Sequence, residues 1–238
     1  MAESLHMILL NPSHQILTPL NPAEMLKRIE AAGRTCYKSE DKITEGSAEK
    51  FVKSIINRGH ESVIEHESLS VRFICDRGVT HEIVRHRLAS FSQESTRFCN
   101  YSKKGLEFII PLWCKLPTCP GPVTDINELH TQTLWLQRYG DAQWLTTVAA
   151  AEFSYRQLLE LGWKPEQARS VLPNSLKTEI VVTANLREWR AIFKQRAISG
   201  AAHPQMREIM IPLYNELRSK LPAIFDDLGD PAPMKSYS

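Results

Sequence analysis

Two stretches of this chain, SLSVRFIC at 68–75 and LKTEIVVTA at 176–184, alternate with a period of two and carry β-branched or aromatic side chains. That pattern predicts strands with one buried face. Most of the chain around them repeats at helical spacing instead. NPAEMLKRIEAAGRTCY opens on Asn21-Pro22, a helix-start signal, and EGSAEKFVKSIINRG closes on Gly59, a helix-stop signal. GVTHEIVRHRLAS, 78–90, is helical in pattern. A long helical stretch runs from Glu128 to Leu161, with a break at Tyr139-Gly140-Asp141 and a stop at Gly162. KPEQARSVL gives a short helix starting near Pro165. NLREWRAIFKQRA is a helix with Asn185 as N-cap and Glu188 three residues on. HPQMREIMIPLYNELRSKL is the last helix, with a kink expected at Pro212. Strands separated by helices predict an α/β or α+β fold. No linker divides it, so one domain over 1–238 is expected, with its core at about 20–222 and a loose polar tail. Residues 98–125, rich in Pro, Gly, Cys and Trp, are expected to form a long irregular excursion.

Composition narrows the function. A net charge of only +2 disfavours a protein built around a broad nucleic-acid surface, so arginine clusters read as local sites. No apolar run is long enough to span a bilayer, and the N-terminal stretch carries no signal-peptide pattern. The five cysteines are odd in number and scattered, which reads as reduced thiols in a cytoplasmic protein. Cys114 and Cys119 have no second pair to complete a zinc set. In HEIVRH, His81 and His86 are five residues apart, about 140° around a helix, so they do not share a metal as an i, i+4 pair does. His60 and His66, six apart, read as solvated or capping residues. No metal is expected. No glycine-rich dinucleotide fingerprint and no P-loop is present.

The densest chemistry lies in RHRLASFSQESTRF, 85–98. Arg85, Arg87 and Arg97 can each grip phosphate or carboxylate with two parallel bonds. His86 can donate or stack, and Ser90, Ser92, Gln93, Ser95 and Thr96 add short polar arms. A helix end running into a hydroxyl-rich loop also presents backbone N–H groups. Together these point to a phosphate-bearing planar ligand. The same arginines near Phe91, Phe98 and Tyr101 leave open a module that binds single-stranded nucleic acid.

RHR, then Ser after seven residues, then Arg two later, resembles the signature of the flavin-dependent thymidylate synthases. RGHESVIEH at 58–66, ARSVLP at 168–173, ANLREWRAIFKQR at 184–196 and AHPQMRE at 202–208 are similar to further segments of that family, in the same order. The resemblance implies a central, mainly antiparallel sheet flanked by helices. It implies an enzyme that makes thymidylate from deoxyuridylate (dUMP), with methylenetetrahydrofolate as carbon donor and FAD reduced by NADPH. It implies a cytoplasmic homotetramer with sites shared between subunits, and no membrane or nucleic-acid partner. An enzyme of the same fold acting on another pyrimidine nucleotide also stays open. The unrelated cysteine-dependent thymidylate synthase is excluded, because no cysteine sits in a Pro-Cys-His context.

By that resemblance, Ser62, Arg85, His86, Arg87, Gln93, Asn185 and Arg187 bind FAD. Glu82, Arg85, Gln93, Glu94, Ser95, Thr96, Arg97, Arg169 and Arg196 bind dUMP, with Arg97 on its phosphate. Arg196 is the catalytic residue: it faces the uracil and favours ionisation at N3. A fixed guanidinium at developing charge supplies about 3–4 kcal/mol, so no protein nucleophile is required. Ser95 has no obvious base beside it. Three positions depart from the family pattern: Ser92, Gln93, and Ala191 where a polar residue usually faces the flavin. Arg187 and Arg196, nine residues apart, fall about 180° apart on a regular helix, which favours a helix whose two sides serve different sites in an oligomer.

Overall fold

The structure, a computed structural model, describes residues 7–101 and 105–236. The first residues of the N-terminal stretch and residues 102–104 of the expected excursion lie outside the described residues. β1 (Ile8–Leu10) and β2 (Ser13–Ile16) lead to α1 (Pro22–Thr35) and α2 (Ser47–Asn57). Then come β3 (Ser68–Asp76), α3 (Arg77–Ile83) and β4 (Ser90–Gln93). β5 (Glu107–Ile109) and β6 (Gly121–Pro122) precede α4 (Ile126–Trp135), α5 (Tyr139–Glu160) and α6 (Pro165–Ala168). β7 (Lys177–Asn185) runs into α7 (Leu186–Phe193), followed by α8 (Pro204–Lys220) and α9 (Pro222–Phe225).

The two alternating stretches are β3 and β7, and they pair antiparallel from Ser68↔Asn185 to Asp76↔Lys177. They form the centre of a four-stranded sheet, ordered β2-β3-β7-β4, in which every neighbouring pair is antiparallel. Leu69, Val71, Phe73, Ile180 and Val182 point into one apolar core with residues of α1, α2, α7, α8 and α9. Trp189 anchors α7 to the sheet by donating its indole N–H to the Leu69 carbonyl at 3.1 Å. The fold class is therefore the expected one. No helix among the described residues is long and apolar enough to cross a membrane.

Several elements differ from the sequence expectation. The helix expected over 78–90 stops at Ile83, because Ser90–Gln93 leave it to pair with β7 as β4. The expected excursion contains β5 and β6, which join β1 in a second, three-stranded sheet over its own apolar cluster with α4 and α5. The break between α4 and α5 falls at 136–138, just before Tyr139. α8 continues through Pro212. After Phe193 the α-helix widens into a π turn, Lys194–Ile198. The segment after Leu221 is packed, not loose: Ile224 and Phe225 are buried, and Tyr214 donates its hydroxyl to the Gly229 carbonyl at 2.6 Å.

Sheet order places the functional segments. β3 and β4 both run antiparallel to β7, so α3 returns the chain to the starting end before β4 sets out again. Arg85–Arg87 precede β4 at the end where Ser90 pairs with Thr183, close to Asn185. Glu94–Arg97 follow β4 at the other end, where Glu94 N–H bonds the Glu179 carbonyl. A strand of four residues separates the two groups by about 13 Å.

Candidate active site

Asp76 caps α3, its Oδ1 accepting from the Val79 N–H at 2.6 Å. α3 ends at Ile83, and the chain turns tightly through Arg85-His86-Arg87. The turn directs alternate side chains apart. His86 is 7% exposed, whereas Arg85 and Arg87 stand in solvent. Among the described residues neither of those guanidinium groups has an ion-pair partner.

His86 meets Arg196. The Arg196 Nε–H donates to His86 Nε2 at 3.1 Å, and Nη1 pairs with Glu82 Oε2 at 2.8 Å. His86 Nδ1 faces Glu188 Oε1 at 3.7 Å. A ring nitrogen that accepts from a guanidinium carries no proton, so the bond assigns the neutral tautomer with hydrogen on Nδ1. Burial first, and the Arg196 charge second, push the His86 pKa down to about 4. Burial pushes the Glu188 carboxyl up. Arg196 is thus oriented by a neutral acceptor and one carboxylate, and its remaining donors are available to a ligand. It sits on the π turn, a distortion frequent at functional sites.

The other end of β4 forms a second group. Arg169 Nη1 donates to the Thr96 hydroxyl at 3.3 Å, and Arg97 Nε pairs loosely with Glu166 at 3.3 Å. Arg97 is well exposed. Glu94 is occupied internally: it accepts from the Tyr101 hydroxyl at 3.1 Å and the Glu179 N–H at 3.2 Å, with the Lys177 ammonium 3.5 Å away. Gln93 donates to the Thr80 hydroxyl at 2.9 Å. Both side chains therefore fasten the 93–97 segment to β7 and α3.

A third group borders an open cleft of about 1030 Å³ between α1, α2 and the 61–66 turn, lined by Arg34, Lys42, Lys50, Arg58, His60 and Ser62 among others. Arg187 pairs with Glu65 of that turn at 2.5 Å. Asn185 caps α7 through its Oδ1, which accepts the Glu188 N–H at 2.8 Å and leaves its NH2 free for a ligand. The size and basic lining of the cleft suit a large anionic ligand.

The residues assigned by resemblance thus fall into three groups: before β4, beyond β4, and at the 61–66 turn and the start of α7. Sequence reasoning took Glu188 only as half of a cap, and passed over Tyr101 and Lys177 as supports of Glu94. It also passed over Arg190, a fully buried guanidinium paired with Asp227 at 2.6 Å and Glu61 at 3.0 Å. Arg190 lies four residues after Leu186 and three before Phe193, both buried, and that spacing was a readable sign of an inward-facing position. Two cysteines, Cys75 and Cys114, are buried; burial raises both thiols, Cys114 to about 12, so neither is a ready nucleophile.

The chain is an α/β protein that carries a buried neutral histidine holding an arginine, and a basic cleft. The sequence model of the thymidylate synthase complementing protein family matches residues 21–223. Flavin-dependent thymidylate synthases are among the relatives. The one from Mycobacterium tuberculosis is 33% identical over 206 residues, covering 84% of this chain and 78% of that protein. The one from Pyrococcus furiosus is 29% identical over 205 residues, covering 85% and 75%. A UMP/dUMP methylase, PolB, from Streptomyces cacaoi shares the fold, with a TM-score of 0.69 at 20% identity over 92% of this chain and 95% of its own. The chain belongs to the family of flavin-dependent thymidylate synthases.

Proposed function

We propose that this chain methylates dUMP to thymidylate, with FAD as its cofactor and NADPH and methylenetetrahydrofolate as co-substrates, in a cytoplasmic homotetramer. The observation that carries the reading is Arg196, held by neutral His86 and Glu82 with donors to spare. Uracil C5 is a poor nucleophile. A guanidinium fixed beside the ring stabilises the N3 anion and sends charge toward C5, so the substrate itself attacks the one-carbon unit. Arg85 and Arg87 with Asn185, Arg187, Ser62 and Gln93 would hold FAD, which when bound supplies the reducing equivalents. Glu82, Gln93, Ser95 and Thr96 would line the nucleotide, and Arg97 and Arg169 would meet its phosphate. The internal bonds of Glu94 support a role in fixing that loop. Because the two arginine groups sit at opposite ends of β4, the reading takes each nucleotide site from two subunits. The nucleic-acid reading is not favoured beside the family membership.

The test is direct. Purified protein is expected to be yellow, with a flavin spectrum that NADPH bleaches. It is expected to release tritium from 5-tritiated dUMP when methylenetetrahydrofolate is present. A flavin-loaded protein that binds dUMP but releases no tritium would overturn the reaction assignment.

A further inference from the structure

The π turn that carries Arg196 is closed by a residue outside every assignment made above. Arg207, on α8, is 3% exposed. Its Nε and Nη2 donate to the Ala197 carbonyl, both at 3.4 Å. The same guanidinium donates to the Pro233 carbonyl through Nη1 at 3.2 Å, and to the Ala232 carbonyl through Nη2. Among the described residues no carboxylate pairs with it. A buried cation held only by carbonyls is costly unless its bonds are well made. These carbonyls belong to two segments distant in sequence: the helix end next to Arg196, and the C-terminal strap. The Ala232 N–H also bonds the Ile198 carbonyl at 3.0 Å. Gly200 lies against the strap, so close that an added Cβ would sit 3.3 Å from Ala232 Cβ. The strap lies beyond the stretch the family model matches, which ends at 223.

We propose that Arg207 is a positioning residue: with the strap at Ala232–Pro233 it clamps the π turn at Ala197 and so fixes the direction of the Arg196 guanidinium. The carbonyls at a helix end lack intrahelical partners, and a π turn carries one residue more than a regular turn of α-helix. Rewinding by one residue would rotate Arg196 by about 100° and take it off His86. Arg207 satisfies the buried Ala197 carbonyl in the π register only while the strap holds its other donors.

The proposal rests on Arg196 as the polarising group, so one readout must not depend on turnover. His86 is that readout, because its titration senses the Arg196 charge. Three variants weaken the clamp independently: Arg207→Met, removal of residues 230–238, and Gly200→Val, which presses on Ala232 and leaves Arg207 in place. NMR titration of the His86 ring, with folding checked by thermal melting, is expected to show an upward shift in all three. Tritium release is expected to fall about 100-fold, as for a displaced catalytic group, with dUMP KM little changed. Arg207→Lys, which keeps the charge and reaches one carbonyl at a time, is expected to fall between. If His86 titrates as in the wild type in folded truncated protein and in Gly200→Val, the clamp does not exist. If the titration shifts but an active enzyme keeps its turnover, Arg207 is merely structural and the proposal fails. If the wild type itself releases no tritium, the reaction assignment fails, and the His86 shift alone decides whether the clamp directs Arg196.

Discussion

His86 has no room for a second proton while Arg196 donates to its Nε2 at 3.1 Å. Protonation would set two cations against each other in a buried place. Burial first, and the Arg196 charge second, depress its pKa from 6.5 to about 4. A group with a depressed folded-state value contributes stability that is present above pH 6.5 and lost as pH falls toward 4. The gap corresponds to roughly 3 kcal/mol. Glu208 acts in the opposite sense: burial first, then Asp76, pushes its carboxyl up to about 7, so it favours the folded state as pH falls. Comparing the wild type with His86→Gln cancels Glu208 and isolates His86. Gln keeps an acceptor for Arg196 but does not titrate. Urea denaturation between pH 7 and 4 is expected to show the wild type losing roughly 3 kcal/mol more than the variant across the window. Parallel pH dependences would show that His86 is not held neutral. The sequence made His86 visible because it sits between two arginines in a motif. It could not show the depressed pKa, because Arg196 lies far along the chain and meets His86 only after folding.

The helix from Leu186 onward shows where periodicity stops being informative. Its start was legible: Asn185 caps and Glu188 supplies the capped N–H. Its end was not, because the count of 100° per residue used to set Arg187 opposite Arg196 fails after Phe193, where the π turn begins. Arg187 pairs with Glu65 and Arg196 with Glu82, on different elements. A π turn depends on packing partners distant in sequence, here α8 and the strap, so no local pattern announces it. The short strands β1, β4, β5 and β6 escaped for a related reason. Each has four residues or fewer, too few for a period to emerge, and only the longer neighbours they join give them stability. α7 also carries the main tie between the 61–66 turn and the C-terminal segment. Arg190 donates to Glu61, to both oxygens of Asp227 and to the Ile224 carbonyl. Arg190→Met fills the space but strands these acceptors. The expected cost is about 3 kcal/mol, at the low end for a broken buried pair because Glu61 and Asp227 are partly exposed and rehydrate. Urea unfolding at neutral pH measures it. A loss below about 1 kcal/mol would place Arg190 with surface ion pairs and remove its structural role.

At the scale of the whole molecule, the sheet order sets which ends of the strands the arginines are offered from. Arg97 and Arg169 lie beyond the end of β4, while Arg85, His86 and Arg196 lie before its start. The strand between them spans about 13 Å, and its Phe91 and Gln93 pair with β7 in fixed register. Arg97 and Arg196 are thus offered from opposite ends of one strand. The proposed shared site would take one group from each of two chains related by symmetry, the far end of one β4 facing the near end of the other. The sequence held the list of arginines but not this division, because a hydroxyl-rich segment that reads as a flexible loop is in fact a paired strand. The consequence is measurable by subunit complementation. Arg97→Ala and Arg196→Ala are each expected to be nearly inactive alone. After mixing in equal amounts under conditions of subunit exchange, a site that takes Arg97 from one chain and Arg196 from another is intact in about a quarter of cases. Tritium release is thus expected to recover to about a quarter of the wild-type rate. Native mass spectrometry with one variant isotopically labelled verifies exchange. Exchange without recovery would mean that both arginines act within a single chain, and the shared-site assembly would have to be abandoned.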